Sequence, residues 1–343
     1  MSRIIKKKLT IFLIGIFTLY LIITVLPKPN NYQEANPFIQ QDLPLIIAHG
    51  GGNHEFPDNT LEAYYHAYSI DPNVMLETDV NITNDEVIIL SHDTTLDRKT
   101  SLQNADIHAI NYSDLIADKI NFSYHNEVVP ESNGYNETGI LMPYETYLKK
   151  TVTPLDVAYP EGVSPRDDTV FLATTLEELI KAFPNNKINV EIKQSGDVGL
   201  RALDHVIELM KTLNDDYDTF ERMVLASFHD EVYDALLEYK TTHPTLKLSP
   251  SRDGVQSFFI FQRLRLSFFF RDPIAVLQVP PQEGRYNLRT RNFIKTAHKH
   301  NIALHYWTIN DEEMMRTLID MGVDGIMTDR PTVLKAVLDE YDQ

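Results

Sequence analysis

The length of 343 residues allows one large domain or two ordinary ones, and the apolar and charged fractions of 43% and 23% are normal for a globular protein. The absence of cysteine excludes disulfides and thiolate chemistry. The formal charge at pH 7 is −18, and residues 29–343 carry 26 basic and 49 acidic side chains. Because so acidic a body repels phosphate backbones, we expect no nucleic-acid partner.

The amino terminus predicts a membrane anchor. Residues 9–26 contain no charged side chain, and as a helix they would be roughly 27 Å long, close to the apolar thickness of a bilayer. Arg3 and the lysines at positions 6–8 come before this run, which predicts a single-pass protein with a cytoplasmic start and its folded domain outside the cell membrane. A cleaved signal peptide and a buried soluble helix are the alternatives, but no small-residue cleavage site follows the run.

The rest of the chain alternates short apolar runs with helical patterns. Strand-like runs lie at 45–48, 74–80, 86–92, 187–193 and 222–228, and shorter ones follow toward the carboxyl terminus. One helix is predicted over 174–183, with Thr174 or Thr175 as its cap. About eight strands separated by helices favour a (β/α)₈ TIM barrel over a doubly wound sheet, and no G-x-G-x-x-G follows the first strand.

These patterns predict a domain organisation. Residues 1–28 form a cytoplasmic basic stub and a transmembrane signal anchor, residues 29–43 form a linker, and residues 44–343 form the barrel domain. The segment at about 99–168 is rich in Asn, Asp, Tyr and Pro and is predicted to be an insertion on the barrel rim.

Chemically active side chains gather at the predicted strand ends, where barrel enzymes carry their sites. They are His49, Glu77, Asp79, His92, Glu191 and Lys193. Glu77 and Asp79 are two residues apart on one strand, so both face the same way, and Glu191 and Lys193 repeat that spacing. Several converging carboxylates repel one another unless a cation joins them, and oxygen ligands favour Mg²⁺ or Ca²⁺. Each residue alone has a simpler explanation, such as a packed imidazole or a solvated lysine.

Five motifs follow one another along the chain: "AHGGGNHEFPDNTLEAY", "LETDVNITNDEVIILSHDTTLDRKT", "NVEIK", "LHYWTIND" and "GVDGIMTDRP". With this ordered set the chain resembles the glycerophosphodiester phosphodiesterases. The resemblance implies a metal-dependent TIM-barrel hydrolase that converts a glycerophosphodiester and water into an alcohol and glycerol 3-phosphate.

The same resemblance implies roles for individual residues. His49 and His92 would be the catalytic acid–base pair, and one divalent cation, Mg²⁺ or Ca²⁺, would be held by Glu77, Asp79 and Glu191. Lys193 would bind the phosphate, and Trp307 would line the glycerol side of the pocket or pack in the core. Asn59 would cap or brace the first loop.

One position departs from the family pattern, because Gly50 stands where the family has an arginine that donates to phosphate. Lys193 or Arg166 could compensate, as could Asn53 or His54 as phosphate-binding donors, and Glu55 could approach the site. The alternative for Asn53, His54 and Glu55 is a role in a surface loop. Alternatively, the glycine makes room for a bulkier substrate, or the enzyme is impaired.

The stretch 255–273 contains six phenylalanines around three arginines, a composition that suits either a membrane interface or a buried barrel helix. A membrane contact would favour phospholipid-like substrates. One alternative to a glycerophosphodiesterase is therefore a phospholipase D–type enzyme acting on intact or lyso lipids. The missing arginine supports another, a catalytically weak binding or adhesion protein. A metal-dependent barrel enzyme acting on carbon acids is a third alternative.

Overall fold

The computed structural model describes residues 3–32, 35–123 and 152–341. Of the insertion predicted at about 99–168, residues 124–151 lie outside the described residues. The first element is helix α1 (Arg3–Val25), and its span Lys7–Val25 is long and apolar enough to cross a membrane. None of that span is buried against the rest of the protein.

Eight parallel strands in the described part of the chain form the barrel. They are β1 (Leu45–Ala48), β2 (Met75–Ile82), β4 (Ile188–Ile192), β5 (Met223–Ala226), β6 (Lys247–Leu248), β7 (Val276–Val279), β10 (Ala303–Tyr306) and β11 (Gly325–Thr328). Their order around the sheet is β6-β5-β4-β2-β1-β11-β10-β7. The amide of Ala275 donates to the carbonyl of Leu248 at 3.0 Å and brings the two end strands together. The barrel is thus nearly closed, which confirms the predicted TIM barrel.

Helices connect the strands and cover the outside of the barrel, except Tyr112–Ala117, which lies in the predicted insertion. They are α2 (Leu61–Ile70), α3 (Tyr112–Ala117), α4 (Leu176–Ala182), α5 (Gly196–Tyr217), α6 (Thr219–Arg222), α7 (Asp230–Thr242), α8 (Arg252–Arg263), α9 (Arg291–Lys299), α10 (Glu312–Met321) and α11 (Pro331–Asp339). Thr175, not Thr174, caps α4 in a capping box with Glu178. The hydroxyl of Thr174 instead accepts a hydrogen bond from the amide of Leu61.

One predicted strand lies outside the barrel. β3 (Ile88–Leu90) pairs antiparallel with β2, with Val80 opposite Leu90. Only residues 83–87 separate the two strands, and so short a connection permits a hairpin but not the crossover that a parallel neighbour requires. A second small hairpin, β8 (Gln282–Glu283) and β9 (Tyr286–Asn287), follows β7.

The amino-terminal base of the barrel is filled by apolar side chains. A buried cluster there contains Phe38, Ile47, Met75, Val224, Val276, Ala303 and Met327. Phe38 comes from the segment predicted to be a linker and has no exposed surface. Near it, the Asn36 amide donates to the carbonyl of Ala275 at 2.6 Å, and the Gln40 backbone amide donates to Asp324 at 2.9 Å. This segment therefore packs against the base of the barrel.

Candidate active site

A cavity of about 350 Å³ opens at the carboxyl ends of the barrel strands. We call it the mouth. Its lining includes eight side chains that the sequence analysis assigned to catalysis, the metal or the substrate: His49, Asn53, Glu77, Asp79, His92, Glu191, Lys193 and Trp307. Among the described residues, His54, the other donor considered for the phosphate, does not line it. The barrel places these residues together, because it brings strand ends that are far apart in sequence to one edge.

The glycines after β1 let the first loop pass close to the site. Gly50 has φ of +54°, a left-handed conformation, and a Cβ there would lie 2.9 Å from the Cβ of Asp58. A Cβ on Gly51 would lie 2.7 Å from that of Ala63. The close turn lets the amide of Gly50 donate to Oε2 of Glu77 at 2.9 Å. The turn after β1 therefore also makes a backbone contact to the carboxylate cluster.

His49 is oriented by a buried aspartate. Its Nδ1 lies 2.7 Å from Oδ1 of Asp329, which has no exposed side-chain surface, whereas 22% of the His49 side chain is exposed. The other oxygen of Asp329 accepts from the Asn310 amide at 2.6 Å and lies 3.4 Å from Nε2 of His54. Burial alone would lower the pKa of His49, but the charge and hydrogen bond of Asp329, with the charge of Glu77, outweigh it and raise the pKa to about 10.

His92 is oriented by a chain of charged groups. Its Nδ1 lies 2.8 Å from Oδ1 of Asp93, and Oδ2 of Asp93 accepts from Nε of Arg98 at 2.6 Å. The guanidinium of Arg98 also donates to both oxygens of Asp58, at 3.2 and 3.0 Å, and Lys99 donates to Asp58 as well. Burial opposes ionisation of Asp93, but the contacts with His92 and Arg98 lower its pKa to about 2.

Three carboxylates converge in the mouth. Oxygens of Glu77, Asp79 and Glu191 all lie within 4.8 Å of one another. Burial, and then the charge of Asp79, raises the pKa of Glu77 to about 8, and burial also raises the pKa of Glu191. The three acids therefore do not all ionise easily side by side. An oxygen-only set at this spacing fits a hard divalent cation, which would remove the repulsion.

Asn59 braces the carboxylates from the loop side. It adopts a left-handed conformation with φ of +57°. Its amide nitrogen donates to Oδ2 of Asp79 at 3.1 Å, and its carbonyl oxygen accepts from Thr78, Tyr64 and the Asp79 backbone amide. The cap of α2 is the neighbouring Thr60. Of the two roles considered for Asn59, the structure thus shows the brace.

A lysine and an aromatic pair also line the mouth. Lys193 Nζ donates to Glu191 at 3.0 Å and lies 3.5 Å from Asp79. Burial lowers the pKa of Lys193, but the two carboxylates outweigh burial and raise it. Trp307 lies 6.3 Å from Phe228, centroid to centroid, and both line the cavity, so the mouth has an aromatic wall as well as charged groups.

The comparisons with known proteins agree with this geometry. The sequence model described as the Glycerophosphoryl diester phosphodiesterase family matches residues 49–333. The chain belongs to this family. It is accordingly a phosphoric diester hydrolase, as predicted from the motifs.

Its relatives in the family carry two enzyme names. The chain is 26% identical over 322 residues to the human protein named lysophospholipase D GDPD1, with 88% of each chain covered. It is 23% identical to the glycerophosphodiester phosphodiesterase of Caldanaerobacter subterraneus, with 84% of this chain and 96% of that one covered. The family therefore supports glycerophosphodiesterase or lysophospholipase D activity.

Solved structures share the fold. A glycerophosphodiester phosphodiesterase from Thermotoga maritima matches with a TM-score of 0.56 and 20% identity, over 87% of this chain and 100% of that one. A phosphodiesterase from Oleispira antarctica, determined with the product sn-glycerol-3-phosphate, matches with a TM-score of 0.56 and 17% identity, over 87% and 97% of the chains.

The structure corrects how the missing family arginine could be replaced. Arg166 donates to the carbonyls of Ala173 and Leu172 and pairs with Glu62 and Glu178, so it serves the packing around α4. Glu55 pairs with His66 and Thr332 instead of approaching the mouth. These two suggestions were wrong, because both side chains are taken up by partners outside the mouth.

Residues that the sequence reasoning missed include Arg98, Asp329 and Phe228. Arg98 lines the mouth and lies inside the motif that contains His92. Asp329 directly follows β11, so its place at a strand end was a usable signal. Phe228 lies two residues after the end of β5, but a single apolar residue near a strand end carries little information.

Proposed function

We propose that the mouth hydrolyses glycerophosphodiesters with the help of one divalent cation, Mg²⁺ or Ca²⁺, to an alcohol and glycerol 3-phosphate. The observation that carries this proposal is the joint placement of two carboxylate-backed imidazoles and three converging carboxylates in one cavity. Phosphodiester hydrolysis needs charge neutralisation on the phosphate and proton transfer at two oxygens, and this set of groups supplies both.

The cation would be held by Glu77, Asp79 and Glu191. When bound, a divalent cation supplies positive charge to the non-bridging phosphate oxygens and lowers the energy of the pentacoordinate transition state. Lys193 already contacts two of these carboxylates and would lie beside the same phosphate. Asn53, which also lines the mouth, would donate to the substrate from the first loop.

The two histidines would move protons. A carboxylate holds Nδ1 of each ring, so each ring would exchange its proton with the substrate through Nε2. One histidine takes a proton from the nucleophile, which is water or a neighbouring substrate hydroxyl, and the other gives a proton to the leaving alkoxide. Arg98 would act as a positioning residue for His92, because it fixes Asp93.

Lysophospholipase D activity is a second candidate. Relatives with this name cover most of the chain, and the wall formed by Phe228 and Trp307 offers apolar surface beside the charged groups. The same bond chemistry serves both substrates, which differ in the group attached to the glycerol.

We also propose that α1 anchors the protein as a single membrane span, with the catalytic domain on the extracytoplasmic side. Its length and apolar character support the span, and the basic residues before it support a cytoplasmic start. A cleaved signal sequence is the alternative, which the molecular mass of the mature protein distinguishes.

A direct assay tests the proposed chemistry. Purified full-length protein in detergent is incubated with glycerophosphocholine or lysophosphatidylcholine, with Mg²⁺, Ca²⁺ or a chelator, and choline release is measured. We expect release that requires the cation and is abolished by His92→Ala. Absence of turnover on both substrates with either cation would overturn the proposal and favour a binding or adhesion protein. The ratio of the two rates decides between the two candidate substrates.

A further inference from the structure

The stretch rich in phenylalanine and arginine divides into a buried half and an exposed half. Phe258 and Phe270 belong to the core. After the end of α8, the chain exposes Leu264 by 51% and Phe269 by 46%. We call the following six residues the base patch: Arg263, Leu264, Arg265, Phe268, Phe269 and Arg271. Leu264 and Phe269, the exposed apolar side chains of the base patch, are not part of the hydrophobic core.

The base patch lies at the end of the barrel opposite to the mouth. Ser249 and Pro250, which come just before α8, line the mouth. The twelve residues of α8 then run about 18 Å along the barrel to Arg263. The next barrel strand, β7, starts at its base with Val276. The base patch and the catalytic groups therefore lie at opposite ends of the barrel, separated by its height.

Helix α1 meets the barrel at this patch. The hydroxyl of Tyr20 donates to the carbonyl of Leu264 at 3.2 Å. Tyr20 lies five residues before the end of α1, which is about 7–8 Å along the helix axis. Tyrosine is enriched at this depth of a membrane span, at the level of the lipid headgroups. With α1 in a bilayer, Leu264 is thus brought to the headgroup level.

The charge of the patch also fits a lipid surface. Residues 263–271 contain three arginines and no acid, although residues 29–343 as a whole are strongly acidic. The guanidinium of Arg271 lies 4.9 Å from the ring of Phe268. Apolar tips flanked by guanidinium groups can enter the acyl boundary while the cations bind lipid phosphates.

We propose that α1 and the base patch seat the barrel with its base on the bilayer, so that the mouth opens into water away from the lipid. This inference rests on the proposed anchoring by α1, not on the proposed chemistry. This orientation limits the substrates to molecules that can reach the mouth through water. A water-soluble glycerophosphodiester, or a single-chain lysolipid that has left the membrane, reaches the mouth, whereas a two-chain lipid held in the same bilayer does not.

Tryptophan fluorescence in lipid vesicles tests this orientation. The chain has one tryptophan, Trp307, which lines the mouth. The full-length protein is reconstituted into phosphatidylcholine–phosphatidylglycerol vesicles with or without tail-brominated lipids, which quench nearby indole rings. Two double variants relocate the single tryptophan. Trp307→Phe with Phe269→Trp places it in the base patch, and Trp307→Phe with Phe228→Trp places it at another position in the mouth. Phe269 and Phe228 are similarly exposed, at 46% and 40%.

We expect brominated lipids to lower the emission of the Phe269→Trp variant at least about twofold, because interfacial side chains lie at the acyl boundary. The wild type and the Phe228→Trp variant should change little. Quenching that is equal at both ends, stronger at the mouth, or absent at both overturns the orientation. Loss of the chain from the vesicles overturns the anchoring on which it rests. Hydrolysis is not measured, so a failure of the proposed chemistry leaves this result unaffected.

Discussion

Arg98 Nε lies 2.6 Å from Oδ2 of Asp93, and the same guanidinium forks onto both oxygens of Asp58. A lysine at position 98 keeps the charge but cannot hold both aspartates at once. We expect Arg98→Lys to lower kcat about 10–100-fold, with a smaller change in KM, since a charge-assisted contact to a positioning carboxylate is lost. In the pH profile of kcat, the limb that reports the ionisation of His92 should move to a different pH.

The matched control for Arg98→Lys is Arg316→Lys. Arg316 also forks onto a carboxylate, that of Glu340, but on the outer surface. This variant should keep the wild-type kcat and pH profile. If Arg98→Lys does so too, Arg98 does not position His92.

The pair formed by His49 and Asp329 gives a second prediction. Asp329→Asn removes the charge that holds the His49 ring, and we expect kcat to fall about 10²–10⁴-fold, the range of a lost acid–base contribution. Asp324→Asn is the control, because Asp324 is also buried and also lies 2.7 Å from a histidine, His298, but near the barrel base. The control should lower thermal stability and leave the kcat of the folded enzyme nearly unchanged. Equal kcat losses in both variants would contradict the assignment.

The carboxylate cluster predicts stabilisation by a metal, which can be measured without turnover. Adding Mg²⁺ or Ca²⁺ at about 100 times its Kd should stabilise the folded protein by about 2.7 kcal/mol, seen as a rise in Tm. Glu77→Gln and Asp79→Asn should abolish this rise. Glu62→Gln, which alters a buried glutamate outside the mouth, should retain it. A metal-induced rise that survives in Glu77→Gln and Asp79→Asn would place the cation elsewhere.

Restoring the family arginine should not improve the enzyme. Gly50→Arg forces a side chain into a left-handed conformation and against Asp58, so we expect a loss of stability of about 1–3 kcal/mol or more, and lower activity. Gly284→Arg is the matched control, because Gly284 has the same φ of +54° and no atom within 4 Å of its added Cβ. Its Tm should fall less. Higher activity in Gly50→Arg would show that the loop tolerates the family residue.

His305 predicts sensitivity to acid. It lies fully buried in β10, and burial lowers its pKa to about 4 from the ordinary value of 6.5. Below pH 6.5, His305 of the unfolded chain binds a proton that the buried ring of the folded chain does not bind. The free energy of unfolding therefore keeps its full value above pH 6.5 and falls as the pH drops toward 4, by up to about 3 kcal/mol. His305→Leu should flatten the Tm-versus-pH curve over this range. The exposed His108→Leu should leave the curve as in wild type, and an unchanged curve in His305→Leu would contradict the assignment.

Local signals in the sequence were enough for the barrel and for six side chains of the site, but not for Arg98, Asp329 and Phe228. Alternating strand and helix patterns predicted parallel strands, and the polar residues at their ends were gathered because all carboxyl ends of a parallel barrel share one edge. The same reasoning placed one strand too many in the series of barrel strands. The period of β3 resembles that of its neighbours, and only its pairing with β2 shows that it runs antiparallel.

The sequence by itself determined the fold class, through its periodicity, and six of the side chains that meet in the mouth, through residue types at strand ends. The family, with Asn53 and Trp307, followed from the resemblance of its motifs. Tertiary structure alone decided which partners hold those side chains. His49 and Asp329 are 280 positions apart, and a hydrogen bond between them requires the register of β1 on β11. Likewise, the space beside Gly50 is limited by Asp58, and the end of the barrel that meets α1 is set by packing. Contacts of a few ångströms depend on how distant segments are brought together, which no local pattern encodes.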